Sequence, residues 1–171
     1  MQYPYWFIKA VDFTLEREKG YVNDPKDSGG ETNWGISKRS YPQVDIKHLT
    51  REGAKMIYYN DFWNPLYEQI PNKVVMIRLF DTGVNMGVEV AVSVLQTTLR
   101  HFYDLPQVVI DGQFGQVTLR ALEVTLASDP KFYETYRDVL NSFYVILTLL
   151  NHKKTRYLHG WENRLNEQIR I

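Results

Sequence analysis

The sequence predicts a mostly α protein, and three observations carry that expectation. Apolar residues recur at helical spacing through most of the chain, strand-like alternation is almost absent, and the densest run of turn formers lies near the start, between Tyr21 and Thr32.

Each element follows from local pattern. Phe7, Ala10, Val11, Thr14 and Leu15 predict an amphipathic helix from Phe7 to Glu18, with Gly20 as its stop. The segment YVNDPKDSGGET, Tyr21 to Thr32, concentrates Asn, Asp, Pro, Ser and Gly and reads as a loop or small hairpin. Helical signals resume from Asn33 to Arg39 and are cut off by Pro42. Thr50 caps the next helix, which carries Ala54, Ile57 and Tyr58 on one face and is closed by Asn64-Pro65. Lys73 to Phe80 and Gly87 to Phe102 read as two further helices, with a break between Gly83 and Gly87. The second aligns Val88, Ala91, Val92, Leu95 and Leu99 in one stripe.

Pro106 and the Asp111-Gly112 turn mark a boundary, followed by a helix from Gln116 to about Leu126. Asp129-Pro130 opens a long helix through Phe132, Tyr136, Leu140, Phe143 and Leu147. A last amphipathic segment carries Tyr157, Trp161, Leu165 and Ile169. No repeat or linker interrupts the chain. Residues 1–87 and 88–171 are expected to be halves of one continuous compact unit.

Composition removes several function classes. Twenty Lys and Arg balance twenty Asp and Glu, which argues against nucleic acid as a partner, because such binders carry a basic excess. With no Cys, disulfides, thiolate metal sites and cysteine nucleophiles are excluded. The four histidines lack metalloprotease spacing, so no metal is expected, and the absence of a phosphate-binding Gly-rich motif leaves no cofactor to expect either. No G-x-S-x-G elbow is present. The first twenty residues lack the features of a signal peptide, and Phe143 to Leu150, the most apolar run, is too short to span a bilayer. Synthesis in the cytoplasm without stable membrane insertion is the expectation. Aromatic residues make up 14% of the chain, a content that suits carbohydrate as well as core packing.

Glu18 continues the core-facing stripe of the first helix, whereas Glu16 points to water. Desolvation disfavours the charged form of a carboxyl, as a general acid requires. A Glu at a helix end paired with a cation fits the same spacing. Asp27 and Thr32 follow in the polar loop, which can fold back toward Glu18, and two carboxyls flanking one bond are the minimum apparatus for glycoside hydrolysis. Taken alone, Asp27 also reads as a turn former and Thr32 as a helix cap.

Glu18-Lys19-Gly20-Tyr21-Val22-Asn23-Asp24-Pro25, followed by Asp27-Ser28-Gly29-Gly30-Glu31-Thr32-Asn33-Trp34-Gly35-Ile36, resembles the N-terminal signature of glycoside hydrolase family 108. The likeness continues through Ile57 to Trp63 and Phe80 to Gly87. Beyond these, Val109 to Gly115 and Gly160 to Arg164 are similar to the predicted peptidoglycan-binding region fused to that family. The resemblance implies a lysozyme-like fold with very little sheet and a muramidase cutting the β-1,4 bond between N-acetylmuramic acid and N-acetylglucosamine. The family's E-G-G-Y motif falls on Glu18, with Lys19 in place of the first Gly.

On this reading Glu18 is the acid and Asp27 with Thr32 positions or activates water. Trp34, Tyr58, Asn60 and Asn85 are candidate groove residues, since sugar rings stack on aromatics and their polar groups need fixed partners. Trp63 and Trp161 are expected in the core. The resemblance further implies peptidoglycan strands as the partner, action at the cell wall, a holin or export system for release, and an endolysin or secretion-activator role. The alternative is a wall-binding or secretion-assisting protein that kept the fold and lost the chemistry.

Overall fold

The computed structural model describes residues 2–18, 20–23 and 30–171. Helix dominates, with one small antiparallel sheet of strand order β1-β2-β3, made by Val22–Asn23, Glu31–Asn33 and Ile36–Ser37. Two compact units divide the chain, Met1–Trp63 and Asn64–Ile171. Among the described residues no helix is long and apolar enough to cross a membrane.

In the first unit, α1 (Tyr5–Leu15) buries Phe7, Ala10, Val11, Thr14 and Leu15, the stripe its periodicity predicts. It packs on α2 (Arg51–Phe62), which buries Ala54 and Tyr58 and is capped by Thr50, whose hydroxyl accepts from Gly53 N at 3.1 Å. Phe7 stands edge-on to Tyr59 and Trp63. At the rim, Asp12 of α1 accepts from Arg51 at 2.8 Å and from Lys55 at 3.1 Å, tying the two helices together.

Two expectations need correction. The first helix ends at Leu15, so Glu18 lies in the following bend rather than on the helix. The physical reason is Arg17, whose guanidinium stacks over the Phe13 ring and donates to the Phe13 carbonyl, satisfying an end carbonyl from outside the helix. The second correction is larger: Asn33 to Arg39 is not helical. Trp34 (φ 51°) and Gly35 (φ 77°) form a two-residue turn between β2 and β3, closed by the Asn33–Ile36 pair. Positive φ at both central residues matches the right-handed twist of a hairpin and is incompatible with a helix.

The second unit holds α3 (Lys73–Met86), α4 (Val88–Thr97), α5 (Gln116–Ser128), α6 (Phe132–Leu150) and α7 (Thr155–Asn166). A π-helical stretch, Thr98–Phe102, continues α4. Helix α3 begins at Asn72, whose side chain accepts from the amides of Val74 and Val75, and runs six residues past Phe80 to the break at Gly87. On α6, Asp129 caps from outside by accepting from Lys131 N at 2.8 Å.

A buried ionic network joins α3 to α7. Arg78, 1% exposed, donates to the carbonyls of Arg164 (2.7 Å), Leu165 (3.3 Å) and Glu167 (3.0 Å). Asp81, also buried, accepts from Arg164 through two nitrogens at 2.8–3.1 Å. Such a cluster is tolerable in a core only because each charge has both a counter-charge and hydrogen bonds. Trp63 is in the core of the first unit, while Trp161 is half-buried, stacked with Tyr157 and tilted against Tyr144.

Candidate active site

The β2–β3 turn positions the first unit's most distinctive polar cluster. At Gly35 an added Cβ would collide with the Tyr58 hydroxyl and lie 3.0 Å from both Cγ and Cδ of Glu18. The missing side chain is therefore what lets the Glu18 carboxyl and the Tyr58 hydroxyl approach the turn together. Tyr58 rises from α2, is 1% exposed, and donates to the Trp34 carbonyl at 2.9 Å. Trp34 in turn donates its indole N–H to the Leu49 carbonyl at 3.1 Å, and buried Asn33 donates to Ile46 O and Leu49 O. The hairpin is thus pinned to the segment before α2 by three side-chain hydrogen bonds and to α2 by one.

Glu18 is half-buried, and Glu16, at the cap just past the helix, is exposed. The unit's other described acidic groups are engaged elsewhere. Asp12 holds Arg51 and Lys55, Glu31 accepts from the Tyr21 hydroxyl at 2.9 Å, Asp61 accepts from Tyr41 at 2.7 Å, Asp45 pairs with His48 at 2.9 Å, and Glu52 lies 3.6 Å from Lys55. These contacts shift ionisation. The hydrogen bond to Glu31 raises Tyr21 above its usual range, burial with the Asp61 bond raises Tyr41 further, and the His48 bonds hold Asp45 below the usual carboxylate range.

The structure brings together Glu18, Trp34 and Tyr58 of the residues singled out by sequence. Thr32 lies in the middle of the sheet, opposite Val22 on one side and Ser37 on the other. By strand alternation it projects from the face opposite Asn33. Asn60 is exposed on α2. Asn85 sits near the end of α3 in the second unit, where its buried Nδ2 has no hydrogen-bond partner. Asp27 and Lys19 fall outside the described residues. Gly35 is the residue that sequence reasoning missed, although a Gly at the second position of a two-residue turn was the signal available for it.

In the described part of the chain no group of three His, Cys, Asp or Glu could hold a metal ion. The arrangement sets a carboxyl from the bend after α1 and a phenolic hydroxyl from α2 against one braced turn, and a carboxyl held in place is a group able to transfer a proton to or from a bound ligand.

Both halves of the chain match known families. The family described as Glycosyl hydrolase 108 matches residues 11–87, and Predicted Peptidoglycan domain matches residues 90–166. Among solved structures, that of Brucella abortus SagA has a TM-score of 0.72 and 28% identity, covering 93% of this chain and 88% of that one. No curated protein matches the chain. The glycosyl hydrolase 108 segment encloses Glu18, Gly35 and Tyr58 and the peptidoglycan segment follows it directly, so the chain joins a glycosyl hydrolase 108 segment to a predicted peptidoglycan domain.

Proposed function

We propose that this protein is a muramidase, hydrolysing the β-1,4 bond between N-acetylmuramic acid and N-acetylglucosamine with Glu18 as general acid. The observation that carries the reading is the missing side chain of Gly35, which lets the Glu18 carboxyl and the Tyr58 hydroxyl both lie against the braced hairpin. Asp27 and Thr32 complete the site by positioning or activating water, an arrangement that favours inversion of the anomeric centre. Trp34, half-exposed with its N–H already engaged, offers a ring face for stacking a sugar. Tyr58 is a positioning residue, since its hydroxyl bonds the turn from beneath. Asn60, exposed on α2, and Asn85 remain candidate contacts for the polar groups of the glycan.

Dye release from purified peptidoglycan tests the reading, and mass analysis of the reducing ends names the bond. Release by the wild type that disappears in Glu18→Gln supports it. The second reading, a wall-binding or secretion-assisting protein, is favoured by Lys19 at the position where the family motif has Gly. It predicts retention on sacculi with no release by either protein. Action at the wall would also call on a holin or export system to bring enzyme and substrate together, and an endolysin role follows only if that release is timed with lysis.

A further inference from the structure

Helix α6 is apolar on two faces, and only one of them is covered. Phe132, Tyr136, Leu140 and Tyr144 are buried against the core. On the other side Val145 is 36% exposed, Ile146 50%, Leu149 67% and Leu150 79%. At about 100° per residue these four share one continuous arc with Asp138, Val139 and Ser142. A helix apolar all round is ordinarily enclosed, and an exposed apolar patch of this kind marks a contact surface.

The patch has a shape. A groove of about 490 Å³ runs between α4 and α6, lined chiefly by Val90, Val94, Val139, Phe143 and Ile146. The protruding leucines, Leu149 and Leu150, stand one to two turns farther toward the helix C-terminus. Knob and groove are therefore on the same face, displaced along the same helix. A two-fold axis crossing α6 near Ile146 sets two copies antiparallel, bringing Leu149 and Leu150 of each over the groove of the other.

Charge follows the same symmetry. The groove end of the patch carries Glu89, Glu134 and Asp138 with Arg137 beside them, and the leucine end is followed by His152, Lys153, Lys154 and Arg156. Antiparallel pairing places the basic run of one copy near Asp138 of its partner, whereas parallel pairing would set like charges together. Asp138 is exposed and has only a loose contact of 3.4 Å with Arg137. We infer that the outer face of α6 is a self-complementary interface through which two copies of this chain associate.

Sedimentation equilibrium of the full chain reads this directly. The expected result is a concentration-dependent rise in molar mass from 20.2 kDa toward twice that value. Leu149→Glu with Leu150→Glu should leave a folded monomer, because both side chains are exposed in the single chain. Asp138→Lys should weaken association at least about tenfold, and combining it with Lys153→Glu and Lys154→Glu should restore it. A 20.2 kDa monomer at every concentration up to about 200 µM, where even weak association would show, would overturn the proposal. So would an unchanged mass in the leucine variant, or failure of the charge reversal to restore pairing. Flotation of a monomeric chain with phosphatidylglycerol vesicles, lost in the leucine variant, would assign the face to an anionic lipid surface and overturn it equally.

Discussion

The two compact units handle buried polar groups in opposite ways. In the second, Arg78, Asp81 and Arg164 satisfy one another and the main chain, so no charge of the cluster faces a ligand. In the first, the polar groups around the hairpin hold the turn in place while the missing side chain of Gly35 lets Glu18 and Tyr58 pack against it. Burial of charge is thus a poor guide to chemistry here. A closed network serves structure, and a half-buried carboxyl packed against a turn is the better candidate for reaction.

The largest expected effect concerns where the units part. The family segments meet between residues 87 and 90, whereas α3, with Arg78 and Asp81, belongs to the second compact unit. A fragment of residues 88–171 loses both partners of Arg164 and is expected not to melt cooperatively, while 64–171 retains them and should. Differential scanning calorimetry of the two fragments compares them, and a sharp transition in the shorter one would break the contrast.

Next, Glu18→Gln should reduce wall hydrolysis by about 10²–10⁴-fold, the usual contribution of a general acid, with an unchanged melting temperature. Asp27→Ala should lower the rate far more than binding, and Thr32→Ala less than either. Asp81→Ala should do the reverse of Glu18→Gln. By leaving the buried guanidinium of Arg78 and the half-buried one of Arg164 without their counter-charge it should cost about 3–5 kcal/mol in urea unfolding, with hydrolysis falling only as the folded fraction falls.

Gly35→Ala stands between these, combining strain at positive φ, about 1–3 kcal/mol, with displacement of Glu18 and Tyr58. Both stability and rate should fall. Gly20→Ala, where an added Cβ meets nothing within 4 Å among the described residues, is the control. The smallest effect is on acid stability. In the second unit, the Gln113 amide with Gln96, and the Tyr103 hydroxyl with the Lys131 amide, hold Asp111 and Asp129 below the usual carboxylate range. Folded values below the unfolded ones mean a contribution that is complete above about pH 4 and is lost as pH falls through the depressed folded values. Acid titration of Asp111→Asn with Asp129→Asn should show a shallower decline than the wild type.

Sequence was most informative where one face of a helix is buried. The stripe of α1, the first half of that of α6, the Thr50 cap and the break before Gly87 were legible, because period and capping chemistry are local properties, whereas beyond Leu140 the buried residues are Tyr144 and Thr148 rather than Phe143 and Leu147. The β2–β3 hairpin was not. Asn33 to Arg39 is short enough for helical spacing to arise without a helix, and the deciding feature, positive φ at Trp34 and Gly35, is conformational. Glu18 was singled out for a helix position it does not occupy. The structure keeps it beside the core by the bend after Leu15 and by contact with Gly35, and that contact depends on residues 17 positions apart. The Arg78–Asp81–Arg164 network was invisible for a similar reason, since Arg164 is 83 residues from Asp81.

The loop between Phe102 and Gln116 owes its path to two side chains that are not in it. Gln96 donates to Asp111, Gln113 O and Thr118 and accepts from the amides of Asp111 and Gly112, while Arg100 donates to Pro106 O and Val108 O. Five of these seven bonds grip main-chain atoms of the loop. Gly112 is the exception to tolerance, because a Cβ there would collide with the Glu89 side chain and come within 2.9 Å of its carbonyl oxygen. The outward positions Gln107, Val109 and Ile110 are therefore free of the task of shaping the loop. They form a writable surface on which new recognition sequences can be displayed, with the scaffold beneath dictating the curve.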